Sequence, residues 1–390
     1  MPTAPRLQSR VLSIPKTMRA VVYRGPNDLR VETVAVPTIG PDELLVKVAA
    51  CGVCPTDIKK IQYGTVPPPR IFGHETAGTI VRVGARIRKF KVGERVALHH
   101  HVPCQKCHDC RHHAYAQCAQ YKRTGITAGF EPAGGGYAEY VRVMPFVLPG
   151  VVPIPDRNSF LEGALLEPVN TVLKGVKRLA LLRADKVLVA GQGPIGLMFT
   201  RLLALEGMEV IAIDLLQTRL RLSGKFGAKW AIRVGQSTKP ASAASKRTAS
   251  SKPSGAGTKI AVPTPLAKVV HRITTGRGLD AAVLAVPSDA VLREAQALVR
   301  GGGQVLLFSH TRRGDQANLD LATICVDEKD LIGSYSADFR LQEEVARLVF
   351  SRQLDVRKLI THQFPLEKTA DAVALAARPS ADSLKIVVCP

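Results

Sequence analysis

The stretch that decides the fold is Lys186-Val-Leu-Val-Ala190, a continuous apolar run, followed at once by Gly191-Gln-Gly193-Pro-Ile-Gly196. An apolar helical pattern from Leu197 to Leu205 comes directly after the last glycine. A buried strand that leads through a glycine-rich turn into a helix is the opening unit of a parallel sheet with crossover helices. The backbone of such a turn and the N-terminus of such a helix bind phosphate groups, so the stretch predicts a nucleotide site.

An acid closes the next strand pattern: Glu209 to Ile213 is followed by Asp214, which lies 23 residues after Gly191. A carboxylate at this place accepts the ribose hydroxyls of NAD and repels the 2′-phosphate of NADP. Arg219 and Arg221 follow and could weaken that preference, and a glycine turn that binds nothing is the alternative reading. The residues predicted to bind NAD are Gly191, Gly193, Pro194, Ile195, Gly196, Asp214 and Arg219.

Four of the eight cysteines, Cys104, Cys107, Cys110 and Cys118, lie within fifteen residues at the spacing C-x2-C-x2-C-x7-C. Four thiolates close a tetrahedral shell around Zn2+ and leave no vacant position, which is typical of structural zinc. An iron–sulfur cluster is the alternative, but its usual last spacing is shorter and is followed by proline, whereas Ala119 follows here. The pattern therefore predicts a lobe, at about residues 99–120, that folds around a structural zinc.

A second set of possible metal ligands has mixed chemistry. It comprises Cys51-Gly-Val-Cys54-Pro-Thr-Asp57, Gly73-His74-Glu75 and Leu165-Leu-Glu167-Pro168. Shells that combine thiolate, imidazole and carboxylate typically keep one position for water or substrate, which distinguishes catalytic from structural zinc. Taken singly, the two cysteines could instead be a redox pair, and His74 could be a core histidine satisfied by the backbone.

The organisation along the chain predicts an α/β protein of two domains. Residues 1–17 are basic and proline-rich and predict a disordered extension. Short β runs between Gly and Pro turns predict a mostly β domain over 18–155, and repeated strand, turn and helix patterns predict a doubly wound parallel sheet over 156–333. Residues 334–390 are expected to return to the first domain. The segment 235–263 carries five basic residues and no acid, and predicts a solvated low-complexity insertion.

The formal net charge of +22 raises the question of a nucleic-acid partner. Lysine and arginine are spread through the whole chain without interleaved aromatic residues, so we expect no nucleic acid as a main partner. We find no run of eighteen apolar residues and no secretory signal pattern, and we therefore expect no membrane association. Clustered metal-type cysteines fit a reducing compartment, and the expected location is the cytoplasm.

From Met18 onward the sequence resembles the medium-chain, zinc-dependent alcohol dehydrogenase superfamily. Five features agree in order: the Cys54-x-Thr56-Asp57 turn, Gly73-His74-Glu75 with Gly78 and Gly84, the four-cysteine lobe, Glu167-Pro168, and the glycine turn with Asp214. Glu167-Pro168 and Gly333-Ser-Tyr335 are most similar to the sorbitol (L-iditol) and threonine dehydrogenase branch. The resemblance implies a GroES-like catalytic domain beside a Rossmann domain, two zinc ions per chain, NAD, and a homo-oligomer, either a dimer or a tetramer.

The resemblance also implies roles for single residues. Cys54, rather than Cys51, would be the thiolate ligand, with His74, Glu75 and Glu167 completing or backing the shell. Asp57 would orient His74, and Thr56 would hold the substrate hydroxyl and pass its proton outward. One position departs from the pattern of this superfamily, and the role of another is left open. Lys59 stands where many relatives carry a relay histidine, and His101 occupies a place that borders the active site in the threonine-type branch.

The activity implied is reversible oxidation of a secondary alcohol, such as a polyol or sugar alcohol, by NAD+, with zinc as the Lewis acid. One alternative is a zinc-free quinone or enone reductase of the same superfamily, against which the presence of Cys54, His74 and Glu75 counts. Another is a basic zinc protein that binds nucleic acid without catalysis, against which the nucleotide and metal motifs count. The substrate itself does not follow from the motifs.

Overall fold

The computed structural model describes residues 13–99, 102–120, 134–235, 265–309 and 314–390. The chain divides into two compact units, one formed by Met1–Lys174 with Tyr335–Pro390 and the other by Gly175–Ser334. The predicted insertion, apart from Gly235, and the first twelve residues of the predicted extension lie outside the described residues. Ile14, which belongs to the predicted extension, packs against the core of the first unit.

The strands are numbered along the chain. They are β1 Thr17–Gly25, β2 Asp28–Ala35, β3 Leu44–Gly52, β4 Arg70–Ile71, β5 Glu75–Val83, β6 Arg95–Ala97, β7 Tyr140–Val143, β8 Val152–Pro153, β9 Lys186–Ala190, β10 Glu209–Asp214, β11 Trp230–Arg233, β12 Leu279–Leu284, β13 Val299–Leu307, β14 Asp330–Gly333, β15 Ile360–Pro365 and β16 Lys385–Cys389. The strand predicted from Met18 begins one residue earlier, and β9 has the predicted bounds.

The helices are numbered in the same way. They are α1 Pro55–Tyr63, α2 His108–Arg111, α3 Phe160–Ala164, α4 Leu166–Val176, α5 Pro194–Leu205, α6 Gln217–Lys225, α7 Pro265–Ile273, α8 Asp289–Leu298, α9 Leu321–Val326, α10 Gln342–Phe350 and α11 Thr369–Ala377. Short 3-10 turns lie at Tyr115–Gln117, Pro145–Gly150, Phe339–Leu341, Val356–Leu359 and Leu366–Lys368. Within the described ranges, no helix is both long and apolar enough to cross a bilayer.

The first unit is built from strands. Among the described residues, one sheet has the order β2-β1-β4, and a larger one has the order β15-β16-β3-β5-β6-β8, with β7 paired to β3. The central pair, β3 and β5, is antiparallel and places Gly52 opposite Glu75. Alternating buried side chains such as Val46, Val48 and Ile80 fill the core on this pairing. The chain returns to this unit through β16, which pairs with β3.

The second unit contains a parallel sheet of the order β11-β10-β9-β12-β13-β14 within the described residues. The order reverses direction beside β9, and in doubly wound sheets ligands bind outside the carboxyl ends of the strands at this point. The predicted fold class, a mostly β domain with a doubly wound parallel sheet, is confirmed. The unit boundary lies later than residue 155, because α3 packs on the β domain, where Gly163 fits closely against Ile154 and Ala77.

Candidate active site

The pairing of β3 with β5 assembles an open group of metal-type side chains. Cys54 precedes helix α1 just after β3 ends, His74 directly precedes β5, and Glu75 is the first residue of β5. One ligand atom from each of Cys54, His74 and Glu75 lies within 4.8 Å of the others. Cys51 is not in this group, since its Sγ lies 3.5 Å from Thr76 Oγ1, and burial raises the pKa of its thiol to about 12.

Asp57 lies against the imidazole of His74. Its Oδ2 lies 3.1 Å from Nδ1 of the imidazole, and both side chains are buried. Burial raises the pKa of Asp57, but the charge and hydrogen bond of His74 outweigh burial, so the net pKa is lowered and the carboxylate stays ionised. A carboxylate on one ring nitrogen leaves the other nitrogen as the metal-binding atom, an arrangement common around zinc-bound histidines.

Glu75, the third member of this group, forms an ion pair with a buried lysine. Its Oε1 accepts a hydrogen bond of 2.6 Å from Lys385 Nζ, while its buried Oε2 has no hydrogen-bond partner among the described residues. Gly52 makes this position possible, because a Cβ there would come within 2.0 Å of Oε2. A buried carboxylate oxygen left over beside a thiol and an imidazole fits a Zn2+ ion in its donor chemistry.

Glu167 lies near this group without belonging to it. It stands in the first turn of α4 and is 3% exposed. Burial raises its pKa to about 7 against the attraction of His74, and repulsion from Glu75 adds to the rise. The structure therefore brings the carboxyl of Glu167 within electrostatic range of the group, but its oxygens are not among the clustered ligand atoms.

Thr56 is the hydroxyl of the site. Its Oγ1 lies 3.1 Å from Cys54 Sγ, in the first turn of α1. Lys59 follows one turn later on the same helix. His101, predicted to border the site, lies outside the described residues.

The four-cysteine lobe has its sulfur atoms together. One sulfur from each of Cys104, Cys107, Cys110 and Cys118 lies within 4.8 Å of the others. Backbone N–H groups of Lys106 and Cys107 lower the pKa of the Cys104 thiol to about 6, whereas burial raises that of Cys110 to about 12. Four clustered sulfurs without an acid or a histidine among them form a donor set suited to structural Zn2+.

The glycine turn has the backbone that a nucleotide site requires. Gly191 has φ +88°, and a Cβ at Gly196 would come within 1.7 Å of the Gly191 carbonyl oxygen. A Cβ at Gly193 would meet no atom within 4 Å, so this peptide faces open space. Pro194 and Ile195 begin helix α5, and Arg219 lies in α6.

Asp214 Oδ2 accepts a hydrogen bond of 2.6 Å from the Gln192 N–H, and Oδ1 accepts one of 2.8 Å from that of Leu216.

Two features escaped prediction from the sequence. Lys385 stands in the last strand, far from Glu75 in sequence, and its only signal is a lysine that opens the apolar run Ile386-Val-Val-Cys389. The backbone hydrogen bonds that occupy Asp214 depend on how β10 ends against the glycine turn, which no motif records.

Comparisons with known proteins agree with this geometry. Residues 40–156 match the family model of the alcohol dehydrogenase GroES-like domain, and residues 194–351 match that of the zinc-binding dehydrogenases. A sorbitol dehydrogenase of Bacillus subtilis (strain 168) is 29% identical over 97% of this chain and 99% of its own. The sorbitol dehydrogenase of Mus musculus is also 29% identical, over 92% of each chain.

Solved structures are similar over nearly the whole length. A zinc-binding dehydrogenase from Sinorhizobium meliloti 1021, bound to NADP, is 26% identical with a TM-score of 0.79, covering 96% of this chain and 100% of that one. The 2R,3R-butanediol dehydrogenase of Bacillus subtilis is 25% identical with a TM-score of 0.77, covering 96% and 99%. The chain belongs to the medium-chain, zinc-dependent alcohol dehydrogenase superfamily and is an oxidoreductase that acts on CH–OH groups.

Proposed function

We propose that the protein oxidises a secondary alcohol of the polyol type, reversibly and with NAD+ as the hydride acceptor. The observation that carries the proposal is the group of half-buried Cys54 with buried His74 and Glu75, which offers a mixed donor set with one carboxylate oxygen left without a hydrogen bond. Cys54, His74 and Glu75 would hold a zinc ion here, with Glu167 close by, and the ion would supply Lewis-acid polarisation of a substrate oxygen.

The chain's own residues have separate tasks in this proposal. The buried carboxylate of Asp57, with Oδ2 3.1 Å from His74 Nδ1, favours the tautomer that carries its proton on Nδ1. Lys385 compensates the charge of Glu75 through a contact of 2.6 Å. Thr56, whose hydroxyl lies 3.1 Å from Cys54 Sγ, is proposed to receive the proton of the substrate hydroxyl and to pass it outward.

NAD is the proposed cofactor because Asp214 ends β10 beside the glycine turn. Its carboxylate is fixed by two backbone N–H groups, so that it cannot rotate away from a 2′-phosphate. The proposed contacts are Gly191, Gly193, Pro194, Ile195, Gly196, Asp214 and Arg219. A relative of 26% identity is bound to NADP, so the preference requires a direct test.

The polyol class is proposed from the relatives. Among the relatives are sorbitol dehydrogenases and a 2R,3R-butanediol dehydrogenase, whose names give a polyol and a diol. The test is a screen of sorbitol and other polyols, butanediols, amino alcohols and simple primary alcohols, each with NAD+ and NADP+. We expect the highest kcat/KM for a polyol or diol with NAD+. Turnover confined to primary alcohols, or to NADP+, would contradict the proposal.

Two zinc ions per chain are proposed because the two ligand groups differ in chemistry and share no residue. Elemental analysis should find about two zinc ions in the wild type and about one in Cys54→Ala, which should fold but not turn over. Cys107→Ser should instead lose folded protein, because structural zinc contributes directly to folding. A single zinc that survives Cys54→Ala would exclude the catalytic site, and a fully stable Cys107→Ser enzyme would exclude the structural role.

A further inference from the structure

We infer that Asn170 is a positioning residue that joins the four-cysteine lobe to the helix carrying Glu167, so that zinc in the lobe helps to set the arrangement of the candidate active site. The inference rests on the proposed function, because it takes the Cys54, His74 and Glu75 group as a metal site. It adds a role for the lobe beyond holding its own fold.

Asn170 is completely buried, and both ends of its side-chain amide form hydrogen bonds with one segment of the chain. Its Nδ2 donates to Gln342 Oε1 at 2.9 Å, and its Oδ1 accepts from the Asp338 N–H at 2.8 Å. Gln342 Nε2 in turn donates to the Gly150 carbonyl at 3.3 Å. A buried amide must find hydrogen-bond partners, and both partners of the Asn170 amide lie in the segment 338–342. Asn170 therefore fixes that segment against α4.

The same segment reaches the lobe through its side chains. Asp338 receives Arg340 Nη2 at 2.7 Å, which holds the guanidinium in place. That guanidinium lies 4.8 Å from the centre of the Tyr115 ring, and the Phe339 ring meets the same ring edge-on at 5.5 Å. Both contacts are of the kinds that add attraction beyond simple burial. Tyr115 is thus the residue of the lobe that the segment 338–342 contacts.

Tyr115 belongs to the metal-binding lobe itself. It lies in the 3-10 turn between Cys110 and Cys118, and its ring packs against the cluster that the four cysteines form. Ligand binding by a cysteine lobe supplies much of the free energy that folds it. The position of the Tyr115 ring, and with it that of Arg340, therefore depends on a filled lobe.

At the other end of the path stands Glu167. It precedes Asn170 by three residues on α4, so the two side chains share a face of the helix. The carboxyl of Glu167 interacts with the charges of His74, Glu75 and Lys385. A shift of α4 would move this carboxyl relative to the open group. The contacts from Tyr115 to Asn170 are continuous, and helix α4 carries Glu167 one turn before Asn170. This is a physical basis for coupling, which a coupling measurement tests.

The test compares Asn170→Leu with Asn158→Leu as a matched control. Asn158 is also a buried asparagine of this unit, and its Nδ2 donates to Glu162 Oε1 and to the Phe350 carbonyl, at the opposite end of α10 from Gln342. Arg340→Gln is a second variant, which should fold because half of that side chain is exposed. The full-length proteins are loaded with Co2+, and the visible absorption that disappears with Cys54→Ala is assigned to the open site.

We expect Asn170→Leu to change the open-site Co2+ spectrum and to speed the loss of that Co2+ to a chelator about threefold to tenfold. Arg340→Gln should act in the same direction and less strongly. Asn158→Leu should lower the melting temperature and leave both readouts unchanged. Combined with Tyr115→Leu, Asn170→Leu should add little further effect, because both interrupt one path.

An unchanged open-site spectrum and release rate in both Asn170→Leu and Arg340→Gln would overturn the inference, as would fully additive effects with Tyr115→Leu. The same would hold if Asn158→Leu disturbed the spectrum as much as Asn170→Leu. Wild-type protein that takes up no Co2+ sensitive to Cys54→Ala would instead defeat the proposed function. The two failures are therefore distinguishable.

Discussion

Lys385 and Glu75 form a buried ion pair, with Nζ 2.6 Å from Oε1 and the side chains only 7% and 1% exposed. Lys385 Nζ also donates to the carbonyl of Val53 at 2.9 Å. Burial lowers the pKa of Lys385, but the charges of Glu75 and Cys54 outweigh burial, and the pKa is raised on balance. The lysine stays charged and offsets part of the negative charge of the open site.

Lys385→Met should therefore destabilise the metal-free protein more than the zinc-loaded protein. Removing one partner of a buried pair leaves an uncompensated charge and costs about 3–5 kcal/mol. A bound metal ion would compensate Glu75 in part and reduce that cost. Urea unfolding of both forms measures the difference. Adding Glu75→Gln should recover stability in the metal-free form, and an equal loss in both forms would contradict this account.

Asp214→Ala should narrow the preference for NAD over NADP, because it removes a carboxylate that repels the 2′-phosphate. It should also weaken NAD binding, since the N–H groups of Gln192 and Leu216 lose their acceptor. Asp214→Asn separates the two effects, because the amide oxygen still accepts one hydrogen bond while the charge is gone. Steady-state kcat/KM with each cofactor is the measurement. Wild-type preference for NADP would show that Arg219 dominates instead.

The sequence predicts well what local chemistry dictates. The apolar run from Lys186 to Ala190, the glycine turn and Asp214 together form a pattern of residue types that few other local structures require. The strand, the turn and the following helix can therefore be predicted directly from it. The cysteine spacing likewise brings four sulfurs together without knowledge of the rest of the fold. Cys54 and His74 could be placed together because the resemblance supplied the missing long-range information.

Long-range pairings are less accessible to sequence reasoning. Lys385 reaches Glu75 because β16 pairs with β3, although the two strands are far apart in the sequence. A single lysine at the start of a strand is not part of any motif that would predict this contact. The role of Asn170 is equally hard to predict, because its partners Asp338 and Gln342 belong to the segment that returns to the first unit. Only the folded structure shows that both ends of its amide form hydrogen bonds.

His99 should make the protein less stable in mild acid. Burial lowers the pKa of this completely buried imidazole from 6.5 to about 4, against the opposing charge of Asp338. The unfolded chain takes up a proton below about pH 6.5 and the folded chain does not until about pH 4. The stability that neutral His99 contributes is thus complete above pH 6.5 and is lost as the pH falls toward 4, by an amount on the order of 3 kcal/mol.

The measurement is the free energy of unfolding by urea between pH 4 and 7.5, for wild type and His99→Gln. The variant cannot titrate at this position, so its stability should fall less with acid, while loss of zinc affects both proteins alike. Parallel curves for the two proteins would refute the assignment of this acid sensitivity to His99.

Thr56→Val should lower turnover by about 10² or more, as expected when a positioned proton-transfer group is lost. The change keeps the shape of the side chain and removes the hydroxyl that lies 3.1 Å from Cys54 Sγ. The dissociation constant for NAD should stay the same, since the nucleotide contacts lie on the glycine turn. Thr171→Val is the matched control: its hydroxyl donates to the Pro168 carbonyl beside Glu167, and turnover should change little.

The step after Thr56 decides how the proton leaves. An ordinary lysine is protonated near neutral pH and cannot accept another proton, so Lys59→Ala should leave the pH dependence of kcat unchanged. A histidine titrates in the working range, and His101→Ala should shift the profile, because a group that accepts and releases the proton near pH 7 is then missing. The reverse result, a large loss for Lys59→Ala and none for His101→Ala, would assign the relay to a lysine with a strongly lowered pKa. Water alone would complete the relay if neither variant moved the profile while Thr56→Val still lost turnover.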